Sequence, residues 1–147
     1  MSIIIPHQIL SEGELAGLGD TEILKDLLWE CHLLDLPPGH ILFRENEPSD
    51  ESLYLILAGG LRVSFDRDDG STDIKDKGVG QFCGESALVT KDHLRTATVQ
   101  VSPQGAKLMH WPHAATLLER PHMAPLRKLL SKLAGRHWVE TSIRTAR

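Results

Sequence analysis

The residues best suited to bind a ligand lie in one short window of the chain. Glu85 follows Gly84 and precedes a run of small residues, and Arg95 comes ten positions after Glu85. A carboxylate accepts a hydrogen bond from a sugar hydroxyl, whereas a phosphate is bound by a guanidinium and by free backbone N–H groups at a helix start. These residue types at this spacing predict a pocket for a ribose that carries a phosphate.

The composition places this window in an ordinary globular domain. The chain has 147 residues, 41% of them hydrophobic, and a formal net charge of −4. This length supports one domain with a hydrophobic core, and the acidic balance argues against a nucleic-acid surface. No apolar run approaches the roughly 18 residues of a membrane span. Cys31 and Cys83 do not indicate a disulfide framework, so we expect reduced cysteines and a cytoplasmic protein.

The helical signal is confined to the two ends of the chain. We interpret residues 1–19 as an N-terminal arm, and the apolar spacing predicts a helix over 22–31 in a region that Pro37-Pro38-Gly39 closes. After the barrel region, a short helix is expected over 113–119, followed by a longer helix with Pro125 in its first turn.

Between these ends, short apolar runs alternate with turn residues. Strands are predicted at residues 40–44, 52–57, 61–65, 72–77, 97–101 and 107–111. Gly59-Gly60 and residues 102–105 are interpreted as strand breaks, and Asp69-Gly70 as a hairpin turn. The pattern predicts a mainly β fold with flanking α-helices: a β-jelly-roll, or double-stranded β-helix, barrel between an N-terminal helix and C-terminal helices.

Several motifs then occur in a fixed order along the chain. They are Pro38-Gly39-His40-Ile41-Leu42, Leu53-Tyr54-Leu55-Ile56, Gly59, Gly80-Gln81-Phe82-Cys83-Gly84-Glu85-Ser86-Ala87-Leu88 and Arg95-Thr96-Ala97-Thr98-Val99. This ordered set resembles the cyclic nucleotide-binding domain family, the module of the catabolite activator protein and of cyclic-nucleotide-dependent kinases and channels. On this resemblance we expect one such domain over residues 20–147, with the barrel over about 36–111, a phosphate cassette over 82–99 and C-terminal helices over 112–147.

The resemblance also implies roles for individual residues. Gly84 and Glu85 would contact the ribose, with the carboxylate accepting from the 2′-hydroxyl, and Arg95 would bind the cyclic phosphate. The segment Ser86-Ala87-Leu88 would open a short helix whose free amides face that phosphate. Thr96 would reach the phosphate or the 2-amino group of a syn guanine.

Other candidate ligand-binding residues lie at the edges of this set. Phe82 and Cys83 lead into the cassette, although Cys83 is also suited to be a small packing residue. Trp138 and Thr141 lie on the last helix, which in the family closes over the purine. The family often has glycine where Asn46 stands, and asparagine tolerates a positive φ, so we expect that turn to form.

The function implied by the resemblance is a non-enzymatic receptor for cyclic AMP or, because of Thr96, cyclic GMP, with no cofactor. Ligand binding would shift the C-terminal helices, which are also a possible homodimer contact. In transcription factors of the family a helix-turn-helix begins about where this chain ends, so we expect no direct DNA binding. The effector protein or fused effector domain is not indicated by the sequence.

Two alternative functions remain, an interaction module and a metalloenzyme. The same fold could be a ligand-free module for dimerisation or docking, in which Glu85 and Arg95 form a surface ion pair. A cupin-like metalloenzyme would require closely spaced histidines and a glutamate on barrel strands. His110 and His113 flank Pro112 at a strand-to-helix junction, and the barrel region has no His-x-His motif, so we expect no metal site.

Overall fold

A computed structural model describes the backbone of residues 13–18, 21–89 and 94–145. Within these ranges it describes the side chains up to residue 134, except those of residues 16, 17, 21, 87 and 89. The elements follow in this order: a 3-10 helix (Glu14–Gly17), α1 (Thr21–Glu30), β1 (His32–Leu36), β2 (Ile41–Phe43), β3 (Leu53–Asp66), β4 (Thr72–Lys77), β5 (Phe82–Cys83), α2 (Ser86–Val89), β6 (Thr98–Trp111), α3 (Ala114–Leu118), a second 3-10 helix (Pro121–Met123) and α4 (Ala124–Thr145).

The fold is built around two strands of 14 residues each, β3 and β6. They pair antiparallel from Leu53 opposite Trp111 to Ser64 opposite Thr98. Strands β1 and β2 pair with β6, while β4 and β5 pair with β3. The mainly antiparallel jelly-roll fold with helices at both ends, predicted from the sequence, is therefore confirmed.

The hairpin predicted at Asp69-Gly70 joins β3 to β4, whose first pair is Asp66 opposite Thr72. Gly70 adopts a φ of 87°, a conformation that glycine reaches without steric cost. The local turn signal was therefore sufficient to predict this hairpin.

The two predicted strand breaks are wrong, because each glycine bends its strand without ending it. Gly59 and Gly105 have φ values of 72° and 78° and lie against each other across β3 and β6. A Cβ atom on Gly59 would lie 2.0 Å from the Gly105 carbonyl oxygen. The register of the two strands also shifts between Gly59 and Leu61. The paired glycines thus turn both strands together at a corner of the barrel.

The region after the first helix also differs from the expectation. Helix α1 ends at Glu30, and β1 begins at His32 instead of further irregular or helical chain before Pro37. The strand pairs with β6 from His32 opposite His110 to Leu36 opposite Ala106. This pairing joins residues far apart in sequence. A local hydrophobic pattern carries no information about such long-range pairs.

The helices cover one side of the barrel through a continuous core. Ile23 and Leu27 of α1 and Leu126 and Leu130 of α4 are buried with Trp111. The Trp111 indole donates a hydrogen bond of 2.8 Å to the Leu27 carbonyl oxygen. The apolar stripe at the start of the last helix therefore packs within the domain. Of the helices in the described part of the chain, none has the length and apolarity required to cross a membrane.

Polar contacts fix the N-terminal helix to the segment before α4. Asp26 accepts a hydrogen bond of 3.1 Å from Arg120 and lies 2.7 Å from Nε2 of His122. Arg120 also pairs with Glu30 at 2.9 Å. Of the arm predicted over residues 1–19, the described part contains the first 3-10 helix. Its Leu15 is buried in the same core as Ile23, Trp111 and Leu126, which we call the helix-facing core.

Candidate functional site

The main chain of Arg95 is held by the turn that follows β2. The Asn46 N–H donates to the Arg95 carbonyl oxygen at 2.8 Å, and the Arg95 N–H donates to the Glu47 carbonyl oxygen at 2.9 Å. Asn46 adopts a φ of 67°, so the turn forms with asparagine in the left-handed conformation, as predicted. These bonds place Arg95 between the turn and the start of β6.

The Arg95 guanidinium is buried, with 3% of the side chain exposed. It lies 4.0 Å from the centre of the Phe43 ring, within the range of a cation–π contact. Its Nη2 atom is 3.1 Å from Asp50 Oδ1, and both terminal nitrogens are 3.4 Å from the Ser52 carbonyl oxygen. A guanidinium forms strong charge-assisted hydrogen bonds with anions, so this buried side chain is suited to bind an anion.

The single carboxylate beside Arg95 is mostly in solvent, since 64% of the Asp50 side chain is exposed. Its Oδ1 atom also accepts a 3.0 Å hydrogen bond from the Ser52 N–H. Although burial alone would raise it, these hydrogen bonds from Ser52 and the charge of Arg95 hold the pKa of Asp50 below its usual value. Asp50 is therefore an ionised neighbour that would compete with an anionic ligand for Arg95.

Glu85 is a buried carboxylate with two different oxygens. The residue is 5% exposed. Oε1 lies 3.3 Å from Nζ of Lys77, whereas Oε2 is buried and has no hydrogen-bond partner among the described residues. Leaving a buried acceptor unpaired costs about 1–3 kcal/mol, and more for a charged group. A hydroxyl group of a bound ligand would satisfy Oε2 and remove this cost.

Gly84 connects the two charged residues. Arg95 Nη1 lies 3.5 Å from the Gly84 carbonyl oxygen, and Glu85 is the next residue along the chain. Gly84 has a φ of 93°, and a Cβ atom there would lie 2.8 Å from the Ser52 carbonyl oxygen and 3.0 Å from Arg95 Nη1. Only glycine allows this approach, so the structure brings Gly84, Glu85 and Arg95 together.

The remaining cassette residues take different positions. Ser86 is buried at the start of the four-residue helix α2, Thr96 is half-buried beside Arg95, and Leu88 packs against the helix-facing core. The Phe82 ring is fully buried with its centre 6.4 Å from that of Trp111, so the structure places it in the core and not in the site.

Cys83 is buried in the barrel core, and burial raises the pKa of its thiol to about 11. The thiol therefore stays protonated and packs as a small apolar group. Both cysteines are free. The side chains of Ala87, Trp138 and Thr141 lie outside those that the structure describes, so their predicted contacts stay predictions.

The interpretation of Glu85 and Arg95 as one surface ion pair is wrong. Both side chains are buried, and each pairs with another residue: Glu85 with Lys77 and Arg95 with Asp50. Sequence reasoning did not identify either of these partners. Lys77 ends a mostly polar strand and Asp50 lies in a loop, and neither position carries a motif.

The cupin-like alternative would require a cluster of metal-ligating side chains. Among the described side chains, no group of three or more histidine, cysteine, aspartate or glutamate residues lies close enough together to hold a metal ion. His110 instead pairs with the Ser52 hydroxyl through Nε2 at 2.9 Å and stacks on Tyr54, with ring centres 4.7 Å apart.

Comparison with known proteins agrees with this geometry. The family model for the cyclic nucleotide-binding domain matches residues 33–117. Among solved structures, the N-terminal domain of a transcriptional regulator from Streptomyces coelicolor A3(2) is 25% identical with a TM-score of 0.65, covering 92% of this chain and 94% of that one. The regulatory domain of Toxoplasma gondii PKA, crystallised with cAMP, is 27% identical with a TM-score of 0.61, covering 75% of this chain and 41% of that one.

A curated relative of another kind is the lysophospholipase nte1 of Neurospora crassa. It is 36% identical over 84 residues, which are 54% of this chain and 5% of the relative, so the match spans a small part of that enzyme. The family match covers more than half of the present chain and runs from within β1 to within α3. This chain belongs to the cyclic nucleotide-binding domain family.

Proposed function

We propose that this chain is a receptor domain for a cyclic nucleotide, with cyclic AMP as the first candidate ligand and cyclic GMP as the second. The observation that carries the proposal is the Oε2 atom of Glu85, a buried and unpartnered acceptor one residue from the carbonyl that Arg95 approaches. A ribose-phosphate ring offers a hydroxyl to the first group and an anion to the second.

Each group has a separate part in binding. Glu85 accepts a hydrogen bond from the 2′-hydroxyl through Oε2, and Arg95 binds the exocyclic oxygens of the phosphate. Because Arg95 Nη2 faces Asp50 in the present structure, the phosphate replaces or shares that contact. Burial of Arg95 strengthens its interaction with the ligand, since the local dielectric constant is lower than that of water.

The same proposal accounts for signalling through the C-terminal helix. Helix α2 begins directly after Glu85 and contacts α4, and Leu88 of α2 packs on the core that contains Leu126 and Leu130. A ligand that orders the cassette therefore favours one placement of α4. It shifts this equilibrium only by its difference in affinity for the two placements.

One observation favours a second function, a ligand-free interaction module. The Arg95 charge already has Asp50 and the Ser52 carbonyl as partners, so the fold does not depend on a bound phosphate. In this alternative the domain docks a partner or another copy without a nucleotide. The unpartnered Oε2 of Glu85 argues against it, because a module without a ligand gains nothing from that atom.

Thermal unfolding with added nucleotides distinguishes the two functions. At 100 times its dissociation constant, a ligand that binds only the folded state stabilises it by about 2.7 kcal/mol. We expect cyclic AMP or cyclic GMP to raise the Tm and 5′-AMP, which has an open phosphate, to raise it less. A Tm that does not change with any cyclic nucleotide at millimolar concentration would support the ligand-free module.

A further inference from the structure

A lysine with a mostly covered side chain lies beside the proposed ribose site. Lys77 is the last residue of β4, and only 14% of its side chain is exposed. Its Nζ atom donates to the Phe82 carbonyl oxygen at 2.8 Å and to Glu85 Oε1 at 3.3 Å. Because burial of an ammonium group is costly, a lysine in this position requires the partners that it has here.

The peptide groups of Phe82 are held by charged side chains from two directions. Lys77 binds the Phe82 carbonyl oxygen, and Glu14 of the first 3-10 helix accepts a 2.6 Å hydrogen bond from the Phe82 N–H. The Glu14 N–H in turn donates to the Gly80 carbonyl oxygen at 3.0 Å. These bonds fix the short strand β5, which leads through Gly84 into Glu85.

The charges around Lys77 keep it protonated. Burial lowers the pKa of Lys77, but attraction from Glu85 and the other acidic groups nearby outweighs this effect, so the pKa lies above its usual value. Burial raises the pKa of Glu14, opposed by its hydrogen bond with Phe82 and by the charge of Lys77. The ammonium group therefore remains available to Glu85 throughout the neutral range.

We propose that Lys77 is a positioning and specificity residue. It fixes the orientation of the Glu85 carboxylate so that Oε2 favours ligands with a free 2′-hydroxyl. This inference rests on the proposed function. With Oε1 bound to Lys77, rotation of the carboxylate breaks a charge-assisted hydrogen bond, so Oε2 is oriented before the ligand arrives. Preorganised acceptors bind more tightly than acceptors that must be ordered on binding.

The test compares cyclic AMP with 2′-deoxy-cyclic AMP by calorimetric titration of the full chain. We expect the wild-type protein to bind the deoxy analogue about 10- to 100-fold more weakly, the effect of one hydrogen bond to a charged acceptor. In Lys77→Met this ratio is expected to fall by at least about fivefold, because Glu85 is no longer oriented. Lys107→Met, an exposed lysine of β6, is the matched control and should keep the wild-type ratio.

The ratio separates positioning from a purely structural role, which would weaken both ligands equally. An unchanged ratio in Lys77→Met overturns the inference while leaving the proposed function intact. If the wild-type chain does not bind cyclic AMP, the same comparison is made with cyclic GMP and 2′-deoxy-cyclic GMP. No binding of either cyclic nucleotide overturns both the inference and the proposed function. If Lys77→Met does not fold, Lys77→Gln takes its place. Its amide keeps a donor for the Phe82 carbonyl oxygen, but any bond to Glu85 Oε1 is neutral and weaker than that of the ammonium group, so the ratio is again expected to fall. An unchanged ratio there rejects positioning by the Lys77 charge.

Discussion

Arg95 and Asp50 form an ion pair in which one partner is buried and the other is in solvent. Arg95 Nη2 and Asp50 Oδ1 are 3.1 Å apart, while the side chains are 3% and 64% exposed. Most of the Asp50 side chain therefore stays in contact with solvent while it pairs with Arg95. In the proposed complex, a phosphate that reaches Arg95 would compete with this solvent-exposed carboxylate, and the competition would set part of the ligand affinity.

Removal of the Asp50 charge should strengthen nucleotide binding. In Asp50→Asn the amide oxygen still accepts from the Ser52 N–H, so the loop geometry is kept while the competing charge is lost. We expect the Kd for the cyclic nucleotide to decrease about two- to fivefold, the effect of an exposed ion pair. Asp69→Asn, in the exposed β3–β4 hairpin, serves as the control. Weaker binding by Asp50→Asn would instead mean that Asp50 supports the guanidinium.

Gly59 should be the least replaceable glycine of the barrel corner. An alanine there combines a φ of 72° with a Cβ atom 2.0 Å from the Gly105 carbonyl oxygen. We expect Gly59→Ala to lower the free energy of unfolding by roughly 2–4 kcal/mol. Gly70→Ala shares the positive φ but meets nothing within 4 Å, so it should cost only about 1–2 kcal/mol. Equal losses in urea unfolding of the two variants would show that the close approach is unimportant.

The contacts of Asp26 predict a loss of stability in acid. Hydrogen bonds and charges from His122 and Arg120 hold the pKa of Asp26 below the usual value of 3.8. A lowered pKa in the folded state means that Asp26 stabilises the fold above pH 3.8 and that this contribution disappears as the pH falls through the folded-state pKa. We therefore expect Asp26→Asn to be less stable than wild type near neutral pH and equally stable in strong acid. A difference in urea midpoint that does not change with pH would contradict this.

Thr96 should affect the choice of base and leave the sugar and phosphate contacts unchanged. It is half-buried and adjacent to Arg95, where a hydroxyl could reach a syn guanine. We expect Thr96→Ala to weaken cyclic GMP by about three- to tenfold and cyclic AMP by less than twofold, as one neutral hydrogen bond is lost. Parallel titrations of both nucleotides measure this. An equal loss for both would assign the hydroxyl to the phosphate.

The part of the site that the sequence revealed is the part with local constraints. Gly84 must be glycine because the Ser52 carbonyl oxygen and Arg95 leave no room for a Cβ atom, and such a requirement is visible as a motif. Lys77 and Asp50 were missed because their contacts are tertiary. They reach Glu85 and Arg95 from a strand end and a loop whose positions follow from the fold.

The same difference between local constraints and tertiary contacts explains which parts of the fold were predicted from the sequence. The hairpin at Asp69-Gly70 follows from local turn chemistry, and its prediction is confirmed. The glycines at 59 and 105 look like turns in sequence, but they form a corner because they face each other across two long strands. Strand β1 was missed for a related reason, since its pairing with β6 joins residues such as His32 and His110.

Calorimetric titration of the wild-type chain and Arg95→Ala with cyclic AMP and cyclic GMP tests the central claim, that Glu85 and Arg95 bind the two halves of one ligand. We predict one binding site per chain for at least one of these nucleotides. We also predict a Kd weakened about 30-fold to a few thousand-fold in Arg95→Ala, whose folding is checked by circular dichroism. No heat of binding from the folded wild-type protein at millimolar nucleotide, or an unchanged Kd in Arg95→Ala, would contradict the account.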